Sequence, residues 1–423
     1  MKKIYLLVIL LVAGLSIIKA QSLEDIRKFI LLRQYQKGKD EVDKFLNNSS
    51  NATKAEAWYY KAFVYNILSR DSNMSVLQSG NLNQESFIAL KKYKELDPKE
   101  PLTKEENNAT LFNVYYAYYD QALKAYNGKD YAQSFTSFSN ALNVHDYIAG
   151  NNVIGDKSTK FSALDTNVVF NLIIIGNELK KNDELVPFYK RLADANVNDT
   201  KYVEVYEGIV MYYKKTRNQA AFAEYLEKGK KYYPKDTFWE DIEIENAVEG
   251  LEKEQLFKKY DEMLVKYPNN FALLFNYGNE LNRYVYSDET KTGDINTFKA
   301  KIPDLFKKAI AINSTIDANM LLASFFYNNS YDLTEESKKI KGTKPEDVKK
   351  RTELVNASKN NLMMCIPVAE EAVKLFAAKP KLKGSEKINY KLALDMLSTI
   401  YKINGDQKKS DEYGKKKADV DKL

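Results

Sequence analysis

Few residues in this chain are arranged to do chemistry. The nearest to a phosphate cradle is Gly150-x4-Gly155-Asp156-Lys157-Ser158, where two glycines and a lysine could wrap an anion. Asp156 stands directly before the lysine and would repel phosphate, and no strand pattern precedes the run, so a phosphate-binding loop is not expected. His145, the single histidine, follows Asn143-Val144 near the end of a helical stretch. A capping or surface position is expected for it, with no second histidine to share a metal or relay a proton. Cys365, the single cysteine, reads as a small buried apolar side chain in Met363-Met364-Cys365-Ile366, with no base placed to make it a nucleophile. Glu105-Glu106 and Glu370-Glu371 are adjacent and point apart on a helix, whereas glycosidase-type catalysis needs carboxylates facing across a cleft. Asp288-Glu289 with Gly293-Asp294 lacks the alternating spacing of a calcium loop. No catalytic residue, cofactor or metal ligand is expected from these patterns, and the chain does not read as an enzyme.

Composition narrows the class further. The 423 residues include only 16 glycines and 9 prolines, against a β-rich fold full of tight turns and against a low-complexity chain. The 31 tyrosines and 20 phenylalanines supply ample material for a packed interior. One cysteine excludes a disulfide framework. The formal charge is +6, but setting aside Lys2, Lys3 and Lys19 leaves 61 of 64 basic residues against 58 acidic ones, too even for a nucleic-acid binder. The lysine-rich end, Lys408-Lys409 and Lys415-Lys416-Lys417, alternates with Asp406, Asp411, Glu412 and Asp419 and reads as a solvated last helix.

Met1-Lys2-Lys3, the apolar run Ile4 to Ile18, and Lys19-Ala20-Gln21 form a secretory signal pattern with a cut expected after Ala20. The run is about 15 residues, short of the roughly 20 that span a bilayer. No cysteine follows it, so a lipoprotein anchor is not expected. The mature chain is expected to be periplasmic or otherwise exported, with no transmembrane segment after cleavage.

From Leu23 onward apolar residues recur at three- and four-residue spacings, the signature of amphipathic helices. Breakers separate them at Asn47-Asn48-Ser49-Ser50, Asp97-Pro98, Asn127-Gly128, Gly150-Asn151-Asn152, Pro234, Pro268-Asn269-Asn270 and Gly405-Asp406. Pro234 and Pro268 follow similar phrases, Lys-Tyr-Tyr-Pro-Lys-Asp and Lys-Tyr-Pro-Asn-Asn, 34 residues apart. A degenerate signature recurs around them. Trp58-x2-Lys61-Ala62-x2-Tyr65 pairs with Ser86-x3-Leu90, Tyr93 and Asp97-Pro98 across an insertion at 71–84. Tyr118-x3-Ala122 pairs with Ser134-x3-Phe138-x2-Ala141, and Tyr206-x3-Val210-x2-Tyr213 with Phe222-x3-Leu226-x2-Gly229. Leu256-x3-Tyr260 leads into Pro268. Leu274-x2-Tyr277-Gly278-x2-Leu281 closes with Phe306-x2-Ala309 after a second insertion at 286–298, and Leu394-x2-Leu397-Ser398-x2-Tyr401 with Ser410. A charged extra segment occupies 332–352.

This pattern resembles the tetratricopeptide repeat (TPR) family over most of residues 22–423, and in particular the divergent exported TPR proteins of Bacteroidota-type bacteria. That closer likeness rests on Pro268-Asn269-Asn270 before Leu274-x3-Gly278, on Asp317-Ala318 before Asn328, and on Ile366-Pro367-x2-Glu370-x-Ala372. The resemblance implies an all-α, right-handed TPR-like α-solenoid of stacked helix-turn-helix repeats with insertions. N-terminal repeats are expected over 21–160 and C-terminal ones over 161–423, in a continuous array. First helices line a concave groove in such a stack. The residues turned toward it are expected to be Tyr59, Phe63, Asn66, Tyr116, Tyr119, Leu123, Tyr126, Asn127, Met211, Lys214, Lys215, Asn279, Asn282, Arg283, Tyr327 and Asn328. Phe63, Leu123 and Met211 stand where relatives that clamp a peptide carboxylate carry lysines and asparagines, so that clamp is not expected. The function this implies is a non-catalytic scaffold binding a protein or peptide in the periplasm or cell envelope. The alternative is a carbohydrate- or nutrient-binding helical protein, since tyrosines and asparagines also suit sugars.

Overall fold

The computed structural model describes residues 22–287 and 294–422. The leader and its cut after Ala20 lie outside the described residues. All regular elements described are helices, and no strand occurs among the described residues. Contacts divide the chain into two units, the first ending at Tyr233 and the second starting at Pro234. The division expected at residue 160 falls between two helices of the first unit.

In the first unit the pairs are α1 (Leu23–Leu31) with α2 (Tyr35–Leu46), α3 (Ala55–Ser69) with α4 (Val76–Leu96), and, after the short α5 (Pro101–Glu105), α6 (Ala109–Asn127) with α7 (Tyr131–Gly150). Then come α8 (Thr166–Glu178) with α9 (Val186–Asp194) and α10 (Val203–Lys215) with α11 (Gln219–Tyr232). The second unit pairs α12 (Phe238–Val248) with α13 (Lys253–Lys266), α14 (Phe271–Val285) with α15 (Ile295–Ile312), α16 (Ile316–Lys339) with α17 (Pro345–Ala377), and α18 (Gly384–Ile403) with α19 (Gln407–Asp419). Each unit is a stack of TPR-like helix pairs, the all-α solenoid class.

Local chemistry sets the boundaries. Within pairs, a residue of positive φ (Lys129, Lys180, Arg217) turns the chain, and a short polar side chain then caps the next helix: Asp130 accepts from the Gln133 amide and Asn218 from that of Ala221. The same backbone bond closes these turns, from Asp130 to Ala125, Asn218 to Tyr213 and Asp406 to Tyr401. Between pairs, α4, α11 and α13 stop because the next residue but one is proline. Asp97, Tyr233 and Tyr267, each just before a proline, leave the helical region with φ near −130°.

A repeated side-chain bond clamps the pairs. The small Ala62, Ala122 and Ala323 of first helices are fully buried, and their carbonyls accept from Ser86 Oγ (2.7 Å), Ser134 Oγ (2.9 Å) and Cys365 Sγ (3.3 Å) of the second. A methyl group lets the backbones approach, and a hydroxyl or thiol satisfies the spare carbonyl lone pair. Cys365 is therefore a clamp residue, fully buried as its context suggests, and burial pushes its thiol pKa up to about 12. The folded chain is expected to leave Cys365 unreacted toward a chromogenic disulfide at about pH 8, with complete reaction after guanidinium unfolding. Reaction of the native chain at the unfolded rate would show that this pair opens.

One expectation needs correction and two gain detail. The insertion at 71–84 is loop only in part: the turn ends at Ser75, whose hydroxyl and Gln78 form a capping box, and 76–84 lengthen α4. The charged extra segment 332–352, whose order the sequence leaves open, is mainly helical, continuing α16 to Lys339 and opening α17 at Pro345, with Ser330, Thr334 and Ser358 hydrogen-bonded between the two helices. His145 is neither a cap nor at the surface; it is 2% exposed and stacked on Phe161 at 5.2 Å. The insertion expected at 286–298 falls partly outside the described residues.

Candidate functional site

The first helices of the first unit carry a coherent exposed face. Aligning α6 and α10 on their signature residues, Tyr118 with Tyr206 and Ala122 with Val210, superposes Tyr116 on Glu204, Tyr119 on Glu207, Asp120 on Gly208, Leu123 on Met211 and Asn127 on Lys215. Apolar side chains in this register stay open: Tyr116 is 48%, Leu123 40% and Met211 55% exposed. Tyr126 on α6 is also exposed, its ring 5.6 Å from that of Tyr131. Tyr119 is half-buried, edge-on to Phe138.

On α10 this face opens into a cavity of about 420 Å³. Tyr189 of α9 forms its floor, donating its hydroxyl to Asn177 Oδ1 at 3.0 Å. Gly208 makes the floor possible, because a Cβ there would stand 2.6 Å from the Tyr189 ring. Burial raises the Tyr189 pKa, the Asn177 bond opposes that rise and the Glu204 charge adds to it. Met211 and Tyr212 supply apolar wall, and Asp183, Glu204 and Glu207 supply carboxylates. Lys215 sits 3.8 Å from Asp183. The arrangement suits an aliphatic stem ending in a cation, such as a lysine or arginine side chain.

The structure separates the other expected groove residues. Asn66 is not on the groove: it is 2% exposed and donates to Asn83 Oδ1 at 3.3 Å under the lengthened α4. Tyr59 is half-buried, its ring 5.6 Å from that of Tyr93, and its pKa is raised chiefly by burial, with the Glu106 charge adding to it. Phe63 packs partly buried against the core of α1–α3. Lys214 is half-buried and Asn127 exposed. In the second unit, Asn279 and Tyr327 are half-buried and Asn328 exposed. Arg283 pairs with Glu280 at 3.0 Å and lines a separate cavity of about 350 Å³ with Leu256, Phe257 and Tyr284. Asn282 keeps a buried Oδ1 with no hydrogen-bond partner among the described residues.

Sequence reasoning missed Asp183, Tyr189, Glu204 and Glu207. The spacing Glu204-x2-Glu207-x3-Met211-x3-Lys215 does mark one helical face. Tyr189 and Asp183 come from outside α10 and carry no such signal.

Among the described residues no group of three or more His, Cys, Asp or Glu is placed to hold a metal ion, and no helix is long and apolar enough to cross a membrane. The fold and this face define a TPR-like helical-repeat protein with an open first-helix surface. No family model and no curated protein matches the chain. Solved structures with some similarity include Naa15/Naa10 bound to HypK-THB (15% identity, TM-score 0.28, covering 94% of this chain and 63% of that one). Others are the human IFIT1 dimer with m7Gppp-AAAA (11%, TM-score 0.22, 93% and 80%) and the APC/C hetero-tetramer Cut9-Hcn1 (12%, TM-score 0.21, 94% and 78%). This chain thus spans less than two thirds of the first of these. At such scores and identities they lend no weight to any ligand or partner.

Proposed function

We propose that this chain is a non-catalytic scaffold of the periplasm or cell envelope that binds a protein or peptide along the first-helix face of its first unit. The observation that carries the reading is the set of exposed apolar side chains in one register, Tyr116 and Leu123 on α6 and Met211 on α10, the last beside an acidic cavity. Rings and thioethers held open to solvent by a rigid helix suit a partner's apolar anchors, and the carboxylates suit a basic side chain between them. Export is supported by the leader pattern of residues 1–20. A sugar-binding reading lacks an indole platform: Trp58 donates Nε1 to the Ala52 carbonyl at 2.8 Å and Trp239 is 1% exposed.

In-cell cross-linking of the tagged chain, followed by mass spectrometry, tests the reading against a variant carrying Tyr116→Ala and Met211→Glu. Met211 is open and Tyr116 is about half exposed, its ring 5.2 Å from that of Tyr115 and 6.4 Å from that of Phe161, so only a small fall in melting temperature is expected. One envelope protein recovered by the parent and lost in the variant is expected. An identical set of captured proteins from both would remove the groove from the mechanism.

A further inference from the structure

We propose that a second site, in the cleft between the loop leading from α4 to α6 and the loop leading from α7 to α8, binds a small hydroxyl-bearing ligand through an oxyanion group, carboxylate or phosphate. The cleft is open to solvent on one side, has a volume of about 660 Å³, within the usual range for small-molecule sites, and shares no residue with the groove cavity.

Its chemistry is cationic and amide-rich. Lys94, Lys104 and Lys157 line it against one carboxylate, Glu100, which is held by Lys94 at 3.0 Å. Lys104 donates to the Lys99 carbonyl at 2.6 Å. Lys157 makes no hydrogen bond or ion pair among the described residues, nor do the side chains of Asn107, Asn152 and Ser158 in the same walls. These are the donors a carboxylate or phosphate accepts from, and the amides also suit hydroxyl groups. Asp156, the residue that argues against phosphate in the sequence pattern, is not part of the wall.

The cleft is also built in advance of any ligand. Gly155 packs against Phe112, where a Cβ would meet the ring at 2.9 Å. Asn108 Nδ2 donates across to the Ile154 carbonyl at 2.8 Å, and Phe161 anchors the far end of the second loop between Tyr115 and His145. Glu100, Asn107, Asn108, Asn152, Lys157 and Ser158 all hold positive φ in these walls. Non-glycine residues held there cost free energy that the surrounding contacts must offset, and such residues gather at ligand clamps.

Isothermal titration calorimetry of the full chain with digalacturonate, its uncharged methyl ester and inorganic phosphate tests the assignment. Saturable binding of at least one anion is expected, with none for the ester. The variant K104Q/K157Q should bind about tenfold more weakly or worse, with unchanged melting, since charge-assisted bonds carry the affinity. Digalacturonate alone would assign an acidic sugar, and phosphate alone a phosphorylated ligand. The proposal is overturned if neither anion binds below about 10 mM, the weak end of specific recognition. Equal binding of acid and ester, or of variant and parent, overturns it as well.

Discussion

Raising the pH from about 9 to beyond 12 is expected to unfold this chain cooperatively, because its folded state holds many phenols away from water. Tyr60, Tyr147 and Tyr233 are pushed up to about 12, in each case chiefly by burial, with the Glu56 hydrogen bond adding at Tyr60 and the Glu100 charge at Tyr147. Others rise further. Tyr65 donates to Asp43 at 2.7 Å, Tyr115 to Asp165 at 2.6 Å, Tyr225 to Asp194 at 2.8 Å and Tyr413 to Glu370 at 2.8 Å; burial is the main cause at each and the carboxylate adds to it. An unfolded tyrosine ionises near pH 10, so the unfolded chain loses protons first. The stability these groups contribute is fully present below about pH 10 and drains as the pH climbs toward the folded values. A tenfold difference in proton affinity between folded and unfolded chain is worth about 1.4 kcal/mol per phenol, before any discount for solvent screening. Spread over several rings, the discounted effect is a sizeable share of the 5–15 kcal/mol that holds a typical domain. Helical circular dichroism and tyrosinate absorbance, followed together, should change in one step. Tyrosinate forming gradually from about pH 10 with helicity intact would mean that the phenols titrate as solvent-exposed groups.

Much of this architecture is legible in the residues because its constraints are local. Ala122 and Ser134 sit 12 residues apart in an uninterrupted pair, and Ala62 and Ser86 make the same bond 24 apart across the insertion, while Pro234 and Pro268 end their helices by sterics alone. What escapes is set by distant chain. Residues 76–84 stand in the sequence only as an insertion with no repeat signature, yet Asn83 within them is fully buried, donating to the Val114 carbonyl of α6 at 2.8 Å. That same extension covers Asn66, which the repeat offset alone would leave facing the groove. His145 lies between Asn143-Val144 and Asp146, a mixed context, but Ala141 and Ile148, on its face of α7, are fully buried. The candidate groove shows the same division: Met211 follows from periodicity, while its cavity needs Tyr189 from a neighbouring helix and a glycine at 208 to admit the ring.

Tyr277→Ala in the second unit is expected to cost about 3–5 kcal/mol, the range for removing a fully buried aromatic side chain. Tyr277 lies fully buried on α14, stacked on Tyr260 at 4.9 Å and next to the close-packed Gly278. Its hydroxyl donates to Asp261 Oδ1 at 3.0 Å, and Lys301 Nζ closes the triad at 2.7 Å from Asp261 and 3.2 Å from the hydroxyl. Alanine would leave a cavity among three helices, α13, α14 and α15, that the stack cannot collapse without shifting whole elements. Tyr277→Phe separates packing from polarity. It keeps the ring and removes the hydroxyl while Asp261 retains Lys301, so about 1 kcal/mol is expected, the usual net worth of one hydrogen bond. Urea unfolding of parent, Phe and Ala variants should therefore show midpoints falling in that order with a large gap only at alanine. Equal losses for the two would locate the stabilisation in the Tyr277–Asp261–Lys301 triad rather than in the packed ring. Nearest-neighbour stacking predicts that the alanine loss loosens the α14–α15 pair before it reaches α18–α19, so hydrogen exchange should quicken first in the former.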